Sequence, residues 1–236
     1  MDRIGTETAF VAAARARALA EQGRDIVHLH LGEPDFDTPA NVIEAARRAM
    51  ADGHTHYAPP LGVPLFREAI AADFGRRRGV RMDPGRVVVT PGAKPVMAFT
   101  LMALVEPGDE VIVPDPGFPI YESLTRFVGA TPVPIPLRAE NGFRMDPDEL
   151  RSLVGQRTRL LVFNSPQNPT GSVLSQADIE SIASIAMGND LVVLADEIYA
   201  RIVHDGKHHS ILEVQGMDER TIVLDGLSKS HAMTGW

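Results

Sequence analysis

The amino-acid sequence predicts an α/β fold with a mostly parallel sheet. Short apolar runs alternate with amphipathic helical patterns along the chain, as in repeated strand–helix–strand units. Several of these runs are continuous β-branched or leucine stretches, which is typical of strands that are buried on both faces. Because right-handed crossovers bring the carboxyl ends of parallel strands to one edge of the sheet, polar residues that follow the strands are the first candidates for function.

Each predicted element has a local pattern behind it. Thr38 and Pro39 are expected as the N-cap and first residue of the second helix, and Ser175 with Asp178 forms a capping-box pattern. Gly75 is expected to interrupt the third helix. The predicted strands are 86–90, 110–114, 131–136, 160–164, 191–196 and 221–225, and the predicted helices are 8–22, 39–52, 64–78, 93–105, 117–128, a short one from 147, and 176–187.

Composition narrows the class of protein. With 236 residues, 44% of them hydrophobic, the chain has enough apolar material for a substantial core. A formal net charge of −8 argues against nucleic acid or an anionic membrane as the main partner. The absence of cysteine excludes disulfides, thiolate zinc sites and cysteine nucleophiles, so we expect no metal site and a cytoplasmic location. Neither a signal-peptide core nor a run of apolar residues long enough to span a membrane is present, which predicts a soluble intracellular protein.

Four polar constellations fall after predicted strands. They are TPGAK at 90–94, NSPQNPTG at 164–171, DEIY at 196–199 and Ser228-Lys229. Singly, each has an ordinary structural explanation: a tight turn, a turn by composition, a strand end that reaches solvent, and a solvated loop lysine. Together they supply an anion cradle, a carboxylate leaving a hydrophobic strand, a nearby tyrosine and a lysine.

This combination matches the needs of pyridoxal phosphate. The cofactor's pyridine nitrogen stays protonated only beside a fixed carboxylate. A lysine that forms a Schiff base must be able to lose its proton near neutral pH, which a desolvated strand-end position favours. Backbone N–H groups that converge at a helix N-terminus suit the phosphate.

The motifs also resemble, in order and over nearly the whole chain, the class I/II aminotransferases of the aspartate aminotransferase superfamily, which are fold-type I pyridoxal-phosphate enzymes. The motifs that carry the resemblance are LGEPDFDTP, HYAPPLGVPLFREAI, TPGAK, PDPGFPIYESL, NSPQNPTG, ADEIY and SKSHAMTGW. The resemblance implies a three-layer αβα sandwich. It also implies that residues 1–37 form an N-terminal arm and part of a small domain, and that residues 38–236 form the cofactor-binding large domain.

Individual roles follow from the resemblance. Lys229 is similar to the lysine that forms the internal Schiff base, and Asp196 to the aspartate that pairs with the pyridine nitrogen. Tyr199 and Asn168 match the residues that hydrogen-bond the cofactor's phenolic oxygen, and Phe118 occupies the position of the aromatic residue that stacks on the pyridine ring.

Further positions match the family's phosphate and substrate contacts. Tyr57 corresponds to a tyrosine that reaches the phosphate in the neighbouring subunit, which implies a homodimer, although a core tyrosine would look the same. Gly32, together with Asn168, matches the substrate-binding positions, although a turn glycine would look like Gly32. The residues implied to hold the phosphate are Gly92, Ala93, Lys94 and Ser228.

The resemblance implies a ping-pong transaminase of the EC 2.6.1 type that moves an amino group from an amino acid to a 2-oxo acid. A fold-type I lyase, such as a carbon–sulfur β-lyase or an aminocyclopropane-carboxylate synthase, would share the core motifs. A non-catalytic effector domain or an inert truncated product is the alternative outside the enzymes. The substrate pair stays open, and His30, His208 and His209 are expected to be surface or structural residues.

Two departures from the family pattern stand out. Gly226 lies where many members have a serine or threonine that contacts the phosphate. In the family an arginine follows TGW at once, then another strand inside the sheet and a small domain, whereas Trp236 is the last residue here. The expectation is therefore a front portion of a longer enzyme, unstable or aggregating when made alone, because a missing inner strand leaves backbone groups unpaired.

Overall fold

A computed structural model describes residues 8–236 and shows an all-parallel, five-stranded sheet with helices on both faces. In this part of the chain the helices are α1 (Thr8–Glu21), α2 (Ala40–Ala51), α3 (Pro64–Arg78), α4 (Lys94–Leu104), α5 (Ile120–Phe127), α6 (Pro147–Leu153) and α7 (Gln176–Gly188), and the strands are β1 (Glu110–Asp115), β2 (Thr131–Pro136), β3 (Thr158–Asn164), β4 (Val192–Asp196) and β5 (Thr221–Leu224).

Two apolar cores, one on each face of the sheet, make the fold a three-layer αβα sandwich, as expected. Successive side chains of a strand point to opposite faces, and β3 divides accordingly. Its Leu161 and Phe163 pack in a core with α6 and α7, and its Leu160 and Val162 pack in the other core with α4 and α5. The inner strands are therefore apolar on both sides, which explains their near-continuous hydrophobic sequences.

The strand order β2-β1-β3-β4-β5 shows that successive strands are added first on one side of β1 and then on the other, although all five strands are parallel. The chain moves outward from β1 to β2 through α5, then returns past β1 to β3 through α6, on the opposite face. In such sheets the two connections separate at the carboxyl ends of the strands and leave a crevice there, where ligands bind. The fold thus gives one preferred place for a site, between the loops that follow β1 and β3.

The prediction of a strand at 86–90 is wrong. Pro84–Arg86 forms a 3-10 turn, and the residues after it are extended but belong to no ladder within the described part of the chain. Val89 donates its N–H to the carbonyl of Leu61 at 3.1 Å, and the Val88 side chain is 56% exposed. A valine run favours extended backbone, but a strand also needs a neighbour to pair with.

Two predictions about helix geometry also need correction. Pro39 itself is the N-cap of α2, because the Thr38 hydroxyl donates instead to the carbonyl of Ala232. Helix α3 continues through Gly75, where a Cβ would lie 2.5 Å from the carbonyl oxygen of Val80, so the glycine serves close packing. The capping box of Ser175 and Asp178 is confirmed, and the remaining predicted elements end within three residues of the observed bounds.

Between residues 8 and 236, none of the helices is both long enough and apolar enough to cross a membrane. The predicted division at residue 37 stays a prediction, and residues 1–7 of that arm lie outside the described range.

Candidate active site

The polar residues that follow the strands line the carboxyl edge of the sheet. Asn164 ends β3 and pairs in register with Asp196, which ends β4. Phe118 follows β1, and Lys229 follows β5. Parallel register therefore brings four sequence-distant groups to the same edge, beside the reversal of strand order.

Asp196 is a buried carboxylate with two donors from the protein. Its side chain belongs to a residue that is only 3% exposed. Oδ2 accepts a hydrogen bond from the hydroxyl of Tyr121 at 2.6 Å, and Oδ1 accepts one from the N–H of Ile198 at 3.1 Å. Burial raises the pKa of Asp196 to about 6, against the opposing effect of these two hydrogen bonds. The carboxyl group can therefore gain or lose its proton at a pH close to neutral.

Tyr121 lies on α5 and links Asp196 to Phe118. Its ring is 2% exposed and meets the Phe118 ring edge to face, with centroids 5.8 Å apart and planes at 84°. Burial, followed by the negative charge of Asp196, raises the pKa of Tyr121, so the phenol stays protonated and donates. Sequence reasoning missed this residue, although its spacing of three from Phe118 at the start of a helix was a visible signal.

Asn164 connects the end of β4 to the NPTG loop. Its Nδ2 donates to the carbonyl of Asp196 at 2.9 Å, and its Oδ1 accepts from the N–H of Asn168 at 2.7 Å. Gln167 donates to the carbonyl of Pro116 at 2.8 Å, so it ties the same loop to the segment that carries Phe118. Asn168 is thus held in place by its backbone N–H, and the residue is half-buried.

The turn before α4 has the form expected of an anion cradle. Gly92 has φ +84°, a conformation that disfavours residues with a Cβ, and Ala93 is the N-cap without a side-chain cap. Proline at the second helical position removes one N–H from the first turn of α4, and the backbone N–H groups of such a turn point to the N-terminal end of the helix, where an anion can bind. The Lys94 ammonium lies 5.9 Å from the Phe118 ring centroid, which places this turn beside Phe118.

Lys229 and Gly32, assigned to different roles, are in direct contact. Lys229 Nζ donates to the carbonyl of Gly32 at 3.0 Å, within a turn in which Met233 donates to the carbonyl of Ser228. Tyr199 is half-buried, and burial followed by the charge of Asp196 raises its pKa. In residues 8–236 the fully exposed Tyr57 makes no hydrogen bond or ring contact with this group.

Behind Asp196 lies a buried charge cluster that sequence reasoning missed. Glu197 is fully buried, and it accepts from Nε of Arg78 at 2.7 Å and from the hydroxyl of Ser210 at 2.6 Å. His208 Nε2 lies 3.2 Å from the same carboxylate, without hydrogen-bond alignment. Burial alone would raise the pKa of Glu197, but its contacts with His208, Arg78 and Ser210 outweigh burial and lower it. Arg78 also reaches Asp225, so it joins α3 to the ends of β4 and β5.

We expect Asp196→Asn to stabilise the cofactor-free chain at neutral pH. The folded chain holds the proton of Asp196 more tightly than the unfolded chain, so the free energy of unfolding falls as pH rises from 3.8 to about 6. A shift of about two units corresponds to about 3 kcal/mol, of which we expect Asn to recover about 1–3 kcal/mol at pH 7.

Urea unfolding of the cofactor-free chain at pH 7 and pH 4 would measure this gain. Asp196 is largely protonated at pH 4, so little gain is expected there. The exposed Asp205→Asn is the matched control and should change stability at neither pH. An equal gain at both pH values would show that burial of the charge is not its cause.

Comparison with known proteins agrees with this geometry. A family profile described as "Aminotransferase class I and II" matches residues 24–236. The chain is 44% identical over 222 residues to the arginine–pyruvate transaminase AruH of Pseudomonas aeruginosa, covering 94% of this chain and 56% of that protein. It is 44% identical over 223 residues to the aspartate/prephenate aminotransferase of Thermus thermophilus, covering 94% of this chain and 57% of that protein.

A solved structure of aspartate aminotransferase from Thermus thermophilus with maleate superposes with a TM-score of 0.97 at 41% identity. The match covers 100% of this chain and 62% of that one, so the chain spans less than two thirds of the length of these relatives. The sequence match and the structural match both extend over more than nine tenths of this chain, and the chain belongs to the class I and II aminotransferase family.

Proposed function

We propose that this chain carries the cofactor-binding part of a pyridoxal-phosphate-dependent aminotransferase. The observation that carries the proposal is the buried carboxylate of Asp196, held by Tyr121 at the carboxyl edge of the sheet, with a lysine on the turn after the neighbouring strand. Between residues 8 and 236 no cationic side chain bonds to this buried, hydrogen-bonded carboxylate, which suits a ligand that brings its own positive charge, such as a pyridinium.

The residues present fit pyridoxal phosphate. When bound, this cofactor supplies an electron sink for the carbon that bears the amino group. Asp196 would hold a proton on the pyridine nitrogen, and Phe118 would stack on the ring. Tyr199 and Asn168 would hydrogen-bond the phenolic oxygen. The residues proposed to hold the phosphate are Gly92, Ala93, Lys94 and Ser228, with Tyr57 from a neighbouring subunit.

Lys229 is the proposed catalytic base. Its Nζ lies 3.0 Å from the carbonyl oxygen of Gly32. Gly32 is the residue proposed to lie near the substrate carboxylate, so the amine and the proposed substrate site adjoin. In the proposed reaction Nζ takes the proton from the α-carbon of the amino acid and returns a proton in the reverse direction for the 2-oxo acid. Gly32 and Asn168 would bind the substrate.

The substrates are proposed to be small amino acids and 2-oxo acids. The relatives' names include aspartate, aspartate/prephenate and arginine–pyruvate activities, and this range leaves the pair for this chain open. A homodimer is part of the proposal because Tyr57 is fully exposed and its proposed phosphate lies in another subunit. A cytoplasmic location is proposed because the sequence has no cysteine. Product analysis separates transamination from a lyase reaction, which would release pyruvate and ammonia; no feature of the site favours the lyase.

We expect the chain with added pyridoxal phosphate to show the visible absorption band of a Schiff base. Borohydride reduction followed by peptide mass mapping should then place the adduct on Lys229. Lys207 lies in an exposed loop and serves as the internal control for random labelling. No band, or labelling of Lys207 equal to that of Lys229, would contradict the proposed cofactor site.

A further inference from the structure

We propose that Tyr121 is a positioning residue for the reaction: its hydroxyl group orients the Asp196 carboxylate and keeps it ionised, while its ring holds Phe118 in place. The inference rests on the proposed function, since Asp196 and Phe118 are the groups assigned to the cofactor ring. It adds a residue outside the motifs that carry that assignment.

The geometry of Tyr121 leaves its hydroxyl little freedom. The side chain is 2% exposed on α5, and its hydroxyl lies 2.6 Å from Asp196 Oδ2, a short distance that is typical of a bond to a charged acceptor. The hydroxyl of Thr125, itself fully buried, donates to the carbonyl of Tyr121 at 2.7 Å one turn later. The helix backbone beneath the phenol is therefore also tied down.

The charge of Asp196 depends on a small set of groups. Burial works against its ionised form, and so do the neighbouring carboxylates of Asp225 and Glu197. The hydrogen bonds from the Tyr121 hydroxyl and from the N–H of Ile198 stabilise the ionised form and lower the pKa of Asp196. The bond from Tyr121 lowers this pKa more than the bond from Ile198. Removing the phenol oxygen would therefore leave a buried carboxylate that faces like charges with one backbone donor.

The same side chain supports the stacking position. Phe118 is half-buried and meets the Tyr121 ring edge to face at 5.8 Å between centroids. Tyr121 thus contacts both groups that would enclose the cofactor ring, one through its hydroxyl and one through its ring. Tyr121→Phe separates the two contacts, because it keeps the aromatic ring and removes only the hydroxyl.

The test is the titration of Asp196 in the cofactor-free chain, followed by the carboxyl ¹³C shift of labelled aspartate. Its resonance is assigned from the spectrum of Asp196→Asn. We expect Tyr121→Phe to raise the pKa of Asp196 by about one to two units above its value of about 6. Thr125→Val removes a buried hydroxyl from the same helix and should leave the titration unchanged.

Cofactor binding provides the second measurement. The dissociation constant of pyridoxal phosphate at pH 7 should rise about tenfold in Tyr121→Phe, and the acid limb of its pH profile should move upward with the titration of Asp196. Thr125→Val should leave this limb in place. A uniform weakening at every pH would indicate a merely structural role and would overturn the proposal.

A second variant, with a stronger hydrogen-bond donor at position 121, keeps the test decisive if Tyr121→Phe does not fold. Site-specific 3-fluorotyrosine at position 121 makes the phenol more acidic at almost unchanged size, so the pKa of Asp196 should fall. An unchanged Asp196 titration in either variant would overturn the proposal. Failure of the unaltered chain to bind pyridoxal phosphate would count instead against the proposed function, because the Asp196 titration needs no cofactor.

Discussion

Replacement of Arg78 by methionine is expected to lower the free energy of unfolding by about 3–5 kcal/mol, the cost of leaving a buried charge without its partner. The side chains of Arg78 and Glu197 are 2% and 0% exposed, and Nε of Arg78 donates to Glu197 at 2.7 Å. Arg78 also bonds Asp225 at 3.2 Å and lies over the Phe74 ring at 3.7 Å. Once the guanidinium is gone, Glu197 keeps the Ser210 hydroxyl as a donor at 2.6 Å and the His208 ring at 3.2 Å.

The loss should depend on pH. Because the pKa of Glu197 is lowered in the folded chain, its stabilising effect is complete above 4.5 and is lost as pH falls through the folded value. Without Arg78, that lowered pKa should rise, so protonation would relieve part of the penalty. The destabilisation by Arg78→Met should therefore be larger at pH 7 than at pH 4.

Urea unfolding of the purified chain measures both effects. Arg76→Met is the matched control on the same helix, because the Arg76 side chain is 74% exposed and its ion pair with Asp73 should contribute at most about 1 kcal/mol. The double variant Arg78→Met/Glu197→Gln should recover part of the loss, because it removes the orphaned charge. A loss for Arg78→Met no larger than that for Arg76→Met would refute the assignment of a buried ion pair.

The sequence was informative where the determinants are local. Continuous apolar runs and helix caps identify five strands and seven helices in the described range, and contiguous motifs identify Asp196 and Lys229. Both groups follow parallel strands, so their place at the same edge of the sheet follows from the fold class, whereas the pairing of β4 with β5 comes from the structure. The position of the crevice beside β1 and β3 depends on the strand order, which the sequence did not predict.

The sequence was uninformative where partners are distant. The hydrogen bond from Tyr121 to Asp196 spans 75 positions, and the bond from Arg78 to Glu197 spans 119. Adjacent carboxylates at the end of a buried strand point to opposite faces, so Glu197 needed a cation from elsewhere, and the arginine-rich end of α3 was the available source. Which of three consecutive arginines would be buried depends on helix packing.

The glycine at position 226, which departs from the family pattern, packs closely against Ile198. A Cβ at this position would lie 3.0 Å from Cδ1 of Ile198, which is closer than most Cβ contacts. A serine or threonine at this position would therefore require Ile198 to shift. Ile198 donates the backbone N–H that holds Asp196, so the glycine and the carboxylate site are linked through one residue.

Loss of the Lys229 amine is expected to have the largest effect on activity. Lys229→Ala and Lys229→Arg should both lower the rate of amino-group transfer by at least about a thousandfold, since proton transfer by a positioned side chain alone contributes about 10²–10⁴. Arginine keeps a positive charge and can still donate to the carbonyl of Gly32, but it cannot lose its proton at neutral pH. An equal loss in both variants would therefore identify the neutral amine, rather than the charge, as the required group.

Single-turnover conversion of an amino acid to its oxo acid measures this loss without product release. Lys207→Ala, which removes an exposed lysine, should retain the full rate. Pyridoxal phosphate should still bind both Lys229 variants through Asp196 and the turn before α4, so a lost rate with retained binding separates chemistry from cofactor affinity. Substantial activity in Lys229→Arg would mean that the group at 229 acts only through its charge, and the role of catalytic base would then belong to another residue.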